Sequence, residues 1–275
     1  MRRLGLIAGG GSLPISLARH CQLAGQPIFV VRLAGAAAPA LNLFPGADVG
    51  LAELGKGIRA LREAGCDRVC FAGLVSRPDF RTLKPDLRGM QALPGAIAAA
   101  RRGDDSLLSF MVAEFERDGF IVVGAHNVMA ELTMGAGPAG KYAADPVHEV
   151  DIARAMNAAR TIGALDAGQG AVSCDGLILA LEAQEGTDAM LSRVAILPPA
   201  IRGSVGDRRG VLAKVCKPQQ DMRVDLPTIG PQTVRLAAEA GLAGIVAEAG
   251  KFLILDRDTV VSVADQCGLF LIGAP

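Results

Sequence analysis

The chain has 275 residues, 28 basic and 28 acidic side chains and no tryptophan, and just over half of its residues are hydrophobic. A length beyond the usual single-domain range makes two domains the prior. A formal charge of zero argues against a protein whose main task is holding nucleic acid, because such proteins carry a basic excess.

Leu4 to Ala8 reads as a short apolar strand, Gly9-Gly10-Gly11-Ser12 as a turn, Leu13 to Leu23 as a helix stopped by Gly25, and Pro27 to Leu33 as a second strand. That β–turn–α–β order opens a doubly wound sheet. The Ala-rich segment 34–40 reads as a loop. Lys56 to Ala64 predicts a helix and Arg68 to Val75 a buried strand. Asp104 or Asp105 is placed to cap a helix running to Asp118, and Phe120 to Val123 follows as a strand. Residues 1–132 are therefore expected to form an N-terminal Rossmann-like open sheet. Residues 133–147, rich in Gly, Ala and Pro and without periodicity, read as a linker.

Residues 148–275 predict a mixed α/β domain. His148 to Ile162 reads as a helix. Gly170 to Cys174, Asp175-Gly176 and Leu177 to Ala183 read as a hairpin with a type I′ turn. Thr187-Asp188 precedes a helix to Ala195, Gly210 to Val215 is a strand, and Pro231 to Ala240 is a helix with Pro in its first turn. Ala243 to Ala247 and Lys251 to Leu255 read as strands, Asp258 as the cap of a last helix to Cys267, and Leu269 to Ile272 as the closing strand.

Cysteines 21, 66, 70, 174, 216 and 267 lack the paired spacing of a zinc site, and most lie in or beside apolar runs. Buried free thiols in a reducing cytosol are expected. The apolar run after Arg2-Arg3 breaks at Gly9, unlike a signal peptide. No stretch reaches the ~18 apolar residues of a spanning helix, so membrane contact is expected to be peripheral.

Three segments carry possible chemistry. In the first, Ile7 through Pro14, Gly9, Gly10 and Gly11 let backbone N–H groups approach an anion at a helix start. The spacing is neither G-x-G-x-x-G nor a P-loop, and a tight strand-to-helix turn is the plain alternative. Val30-Val31-Arg32 stands where a dinucleotide fold places a ribose-binding acid, which weakens a nicotinamide reading. In the second, Glu185 through Met190, Thr187 or Asp188 reads as an N-cap, a role compatible with phosphate contact. The third, Lys214 through Gly230, is the strongest. It combines Asp221 and Asp225 with Lys214, Lys217, Arg223, Gln219 and Gln220 in a loop that prolines keep from being helical. Carboxylates to hold Mg²⁺ or orient water, with cations to offset phosphate charge, are the parts that phosphoanhydride cleavage needs. An internally salt-bridged surface loop is the plain alternative. His20, His126 and His148 lack partners at metal-ligand spacing, and no nucleophile elbow is present.

Across essentially the whole chain the sequence resembles the LpxI-type UDP-2,3-diacylglucosamine pyrophosphatases of lipid A biosynthesis. The resemblance is carried by Ile7 through Pro14, Val75-Ser76-Arg77-Pro78, Leu83-Lys84-Pro85-Asp86, Gly124-Ala125-His126, Glu185 through Met190 and Asp221 through Gln232. It implies a two-domain Mg²⁺-dependent enzyme that splits UDP-2,3-diacylglucosamine into UMP and 2,3-diacylglucosamine 1-phosphate (lipid X). Water is expected to attack the sugar-side phosphorus. The family's essential aspartate falls on Asp225, with Asp221 as a second catalytic and metal-holding candidate. Gly10, Gly11, Ser12, Leu13, Gly73, Leu74 and Val75 are expected to face the nucleotide half. Thr187, Asp188, Lys214 and Thr228 are expected to meet the phosphates, with Gln220 and Arg223 as further substrate contacts. The lipid substrate implies a cytoplasmic protein in transient contact with the inner membrane, with Arg77, Arg81, Lys84 and Arg88 available for it. Two rivals stay open: a nicotinamide-dependent oxidoreductase, and a non-catalytic regulator that binds nucleotide sugar or lipid.

Overall fold

The computed structural model describes residues 2–275, which divide into two compact α/β units. One comprises the described residues up to Ala130 with Asp221–Asp225, the other Glu131–Gln220 with Leu226–Pro275.

Unit 1 contains β1 (Arg3–Ala8), α1 (Leu13–Leu23), β2 (Ile28–Leu33), β3 (Gly46–Val49), α2 (Leu54–Glu63), β4 (Cys66–Ala72), α3 (Leu87–Ala100), α4 (Asp104–Arg117), β5 (Ile121–Val122) and α5 (Ala125–Val128). The strands form a parallel sheet in the order β3-β2-β1-β4-β5. The expected open sheet is thus present, with β1 and β4 flanking the point where the winding reverses. Its apolar core joins Ile7, Val31, Val49, Leu61, Val69 and Phe115. β3 and α3 were not legible in the sequence. α3 contains Gly89, Pro94 and Gly95, which read as helix breakers, and it forms because Asp86 caps it. The Asp86 carboxylate accepts the N–H of Gly89 at 2.8 Å and, from α2, those of Gly55 at 3.2 Å and Lys56 at 2.8 Å. Burial opposes ionisation of this carboxyl, but the backbone donors prevail and hold it below the usual carboxylate range.

Unit 2 contains β6 (Gly137–Pro138), α6 (Glu149–Ala164), β7 (Gly170–Cys174), β8 (Leu177–Leu181), α7 (Gly186–Ala195), α8 (Pro199–Arg202) and β9 (Val211–Lys214). It continues with β10 (Thr228–Ile229), α9 (Pro231–Glu239), β11 (Gly244–Glu248), β12 (Leu253–Ile254), α10 (Arg257–Cys267) and β13 (Phe270–Ala274). Six strands form a mixed sheet, β6-β13-β11-β9-β7-β8, whose β13, β11 and β9 run parallel. β10 and β12 form a separate parallel pair. The β7–β8 hairpin has the expected turn, with Asp175 and Gly176 both at positive φ, 49° and 74°. Asp151 of α6 secures its tip by accepting from the Ser173 hydroxyl and from the N–H groups of Asp175 and Gly176. Cys21, Cys66, Cys70 and Cys174 are buried and all six thiols are free. Burial pushes the Cys66 and Cys174 thiols up to about 11 and Cys70 to about 12. Among the described residues, no helix is long and apolar enough to cross a membrane.

The structure corrects several expectations. Residues 133–147 carry β6, which pairs antiparallel with β13, because a Gly–Pro step can serve as an edge strand. α10 is preceded by Asp256 in the left-handed region at φ 54°, and Asp258 lies in its first turn. Glu185, not Thr187 or Asp188, occupies the N-cap position of α7. Gly103 precedes α4, with Asp104 and Asp105 in its first turn.

The largest correction concerns the loop after β9, expected as part of the second domain. Residues 221–225 belong to unit 1, because Val224 packs against that unit's apolar core and Arg223 Nη1 donates to Glu116 Oε1 of α4 at 2.6 Å. Asp221 folds the segment into a turn. Its carbonyl accepts from the N–H groups of Val224 and Asp225, both at 3.0 Å, and its Oδ1 accepts from the Arg223 N–H at 3.0 Å. The Arg223 guanidinium grips both Asp221 oxygens, with Nη2 to Oδ2 at 2.7 Å. These hydrogen bonds hold the Asp221 carboxyl below the usual carboxylate range. A depressed folded-state pKa stabilises the turn above the ordinary carboxylate value and ceases to do so as pH falls through the folded one. Hydrogen-exchange protection of amides 223–225, corrected for intrinsic rates, should be complete near pH 7 and decline below about pH 4. Arg223→Gln should lower that protection at neutral pH and remove most of its acid dependence.

Candidate active site

The C-terminal ends of β1 and β4 meet at the winding reversal, where open α/β sheets place their ligand crevice. Two loops leave there and are stitched together: the Gly10 N–H donates to Leu74 O at 2.8 Å, and the Leu74 N–H donates to Gly10 O at 2.9 Å. Gly73 sits at φ +90°, and a Cβ on it would stand 2.4 Å from the Gly10 carbonyl. On Gly9 a Cβ would stand 2.6 Å from Leu74 O. These close approaches explain by themselves why the turn and the strand end are glycine-rich. The structure thus brings Gly10, Gly11, Ser12 and Leu13 together with Gly73, Leu74 and Val75. Ser12 occupies the N-cap position of α1 without a side-chain cap bond. Leu74 is 80% exposed.

Arg32, at the end of β2, donates through Nε to Asp48 Oδ1 at 2.8 Å and through Nη1 to the carbonyls of Leu41 and Phe44. A fixed cation therefore stands where dinucleotide folds present an acid. His126 follows β5; its Nδ1 is buried without a partner, and burial lowers its pKa.

In unit 2, Lys214 ends β9 with only 4% of its surface exposed. Its Nζ donates to Thr187 Oγ1 at 2.7 Å and to the Thr228 carbonyl at 3.2 Å. The Thr187 hydroxyl in turn donates to Glu182 Oε1 at 2.8 Å. Thr187 and Glu182 are themselves buried, so the hydroxyl is committed inside this network. Asp188 is exposed, and its Oδ1 accepts from the Thr233 hydroxyl at 2.9 Å. Lys214, Thr187 and Thr228 are brought together as a buried charge with its partners, the form in which an ammonium is tolerated away from water. Gln220 is buried and braces the loop, its Oε1 accepting from the Lys217 N–H at 3.0 Å and the Cys216 thiol at 3.3 Å. Lys217 pairs with Asp166 at 2.8 Å.

Asp225 is half-buried in the unit 1 segment, its N–H fixed by the Asp221 carbonyl. Asp221 has both oxygens occupied by Arg223. Among the described residues no three His, Cys, Asp or Glu side chains cluster as a metal cage. Of the four cations from the 77–88 stretch, Arg88 is structural, bridging the buried Glu114 at 2.6 Å and Asp118 at 3.2 Å. Arg77 donates to Ala100 O and faces Asp104 at 3.7 Å, while Arg81 and Lys84 are exposed. Glu182, Thr233, Glu116 and Asp166 were missed by sequence reasoning. Thr233, Glu116 and Asp166 are ordinary polar residues whose partners lie far along the chain, whereas Glu182, a charge at the end of an apolar strand with its partner five residues on, carried a local signal.

The LpxI N-terminal domain model matches residues 3–132 and the LpxI C-terminal domain model residues 135–272. The chain is 59% identical over 273 residues to the UDP-2,3-diacylglucosamine pyrophosphatase LpxI of Caulobacter vibrioides, covering 99% of this chain and 98% of that protein. With two consecutive domain matches spanning nearly its full length, the chain belongs to the LpxI family.

Proposed function

We propose that this chain hydrolyses the diphosphate of UDP-2,3-diacylglucosamine, releasing UMP and 2,3-diacylglucosamine 1-phosphate, in lipid A biosynthesis. The observation that carries the reading is the near full-length identity to a relative named for that activity. The stitched loops at the sheet's winding reversal supply the nucleotide side, with the N–H groups of the glycine turn directed to phosphate. Lys214 supplies positive charge, held in place by Thr187 and Glu182. Asp225 accepts a hydrogen bond from the attacking water and takes its proton as the new P–O bond forms at the sugar-side phosphorus. The bond from that phosphorus to the bridging oxygen breaks, and UMP leaves with that oxygen and the bonding electrons.

The donor set bears on the cation. A site built from protein ligands alone is not present among the described residues, and Asp221 is committed to Arg223. Asp225 fits a Mg²⁺ held mainly by the substrate's own diphosphate oxygens, the usual division for this ion. When bound, Mg²⁺ offsets charge on the phosphoryl oxygens. Asp221 is then the residue that fixes the turn presenting Asp225. Because the substrate is a lipid, we place the protein in the cytoplasm in transient contact with the inner membrane, with Arg81 and Lys84 toward its anionic surface.

Asp225→Ala should lower UMP release by at least about a thousandfold with substrate affinity near wild type, the pattern of a lost transition-state interaction; joint loss of binding and of a cooperative urea transition would make Asp225 structural. EDTA should stop turnover and added Mg²⁺ restore it, and activity surviving exhaustive chelation would remove the cation from the scheme. In ¹⁸O-labelled water the label should enter the sugar phosphate, and label in UMP would move the attack to the other phosphorus.

A further inference from the structure

Unit 1 contains a cavity of about 300 Å³ between the C-terminal ends of β1, β2 and β4, the helices α3 and α4, and the irregular strap 75–85. All its lining residues are apolar or glycine except Glu53, Arg77 and Asp104. Aromatics are scarce in this chain, yet four of its nine phenylalanines, Phe71, Phe80, Phe110 and Phe115, line this space. Interiors are normally packed to crystal density, and an apolar void leaves its lining without dispersion partners. Here small residues on the cavity face of α3, Ala92 and Ala96, keep it open.

The strap is secured at both ends and again two residues after Val75. The Gly10–Leu74 pair fixes its start, Asp86 ties its end to α2 and α3, and Arg77 latches to the Ala100 carbonyl and Asp104. Leu74 belongs to the proposed nucleotide-side loop, and the next residue, Val75, already lines the cavity. The void therefore continues directly from that loop. In the segments that border it, Leu74, Leu87 and Met90 are more than half exposed.

We propose that this cavity takes a fatty acyl chain of the substrate under the strap, and that its dimensions set the acyl length the enzyme accepts. The proposal rests on the diacyl substrate argued above, and the occupant follows from the lining: an aliphatic chain needs apolar walls and no polar partners. Full-length enzyme is titrated with 11-(dansylamino)undecanoic acid, a fluorescent fatty acid whose binding needs no turnover, and is assayed on UDP-2,3-diacylglucosamines of graded acyl length. Wild type should bind the probe, and kcat/KM should fall about fourfold for each methylene removed from the optimal chain, equivalent to ~0.8 kcal/mol. Ala92→Phe, which fills the space, should weaken probe binding at least tenfold and move the optimum to shorter chains. Phe110→Ala, which widens it, should move the optimum to longer ones. The two substitutions act in opposite directions, so either folded variant decides the matter if the other fails to fold. Unchanged probe affinity and an unchanged length optimum overturn the proposal. If wild type releases no UMP while the probe binds and Ala92→Phe prevents it, the hydrolase reading fails and the acyl cavity stands.

Discussion

The pair of hydrogen bonds between Gly10 and Leu74 is the constraint on which unit 1 turns. A parallel strand end offers no such stitch by itself, since its loop departs toward whatever helix follows. Here two loops that diverge from neighbouring strands are locked edge to edge, and the lock tolerates no side chain at Gly73 and little room for one at Gly9. From it follow the shape of the glycine turn, the fixed start of the strap and the roof of the apolar void. Because each bond is mutual, losing one backbone geometry forfeits the other, and the loops would separate as a unit.

Unit 2 rests on a different economy, that of a buried cation. An ammonium with 4% exposure is costly unless its hydrogens find partners and its charge an anion nearby. Thr187 relays that need to Glu182, and its hydroxyl holds Lys214 in one direction. A charge held in this way has little freedom to reorganise.

Much of this was legible. Local chemistry announced the Asp175-Gly176 turn, the glycine turn after β1 and the winding of the first sheet, because each depends on residues adjacent in sequence. What escaped was non-local. α3 carries Gly89, Pro94 and Gly95, a poor helix on propensity, and its first turn is held by a carboxylate that also reaches α2. β6 is too short to show a period. Asp221 and Asp225 looked equivalent as carboxylates in one loop, yet the guanidinium two residues on from Asp221 takes both its oxygens. The apolar void could not be read either, since it is made by what α3 lacks.

The allegiance of residues 221–225 to unit 1 also bears on how the protein is made. The N-terminal unit leaves the ribosome incomplete, with Glu116 lacking its arginine and the apolar patch under Val224 uncovered. It gains its last piece only after some ninety further residues have been translated. Biogenesis is therefore sequential, and the carboxylate at 225 takes its place in unit 1 only once most of the second unit has been synthesised.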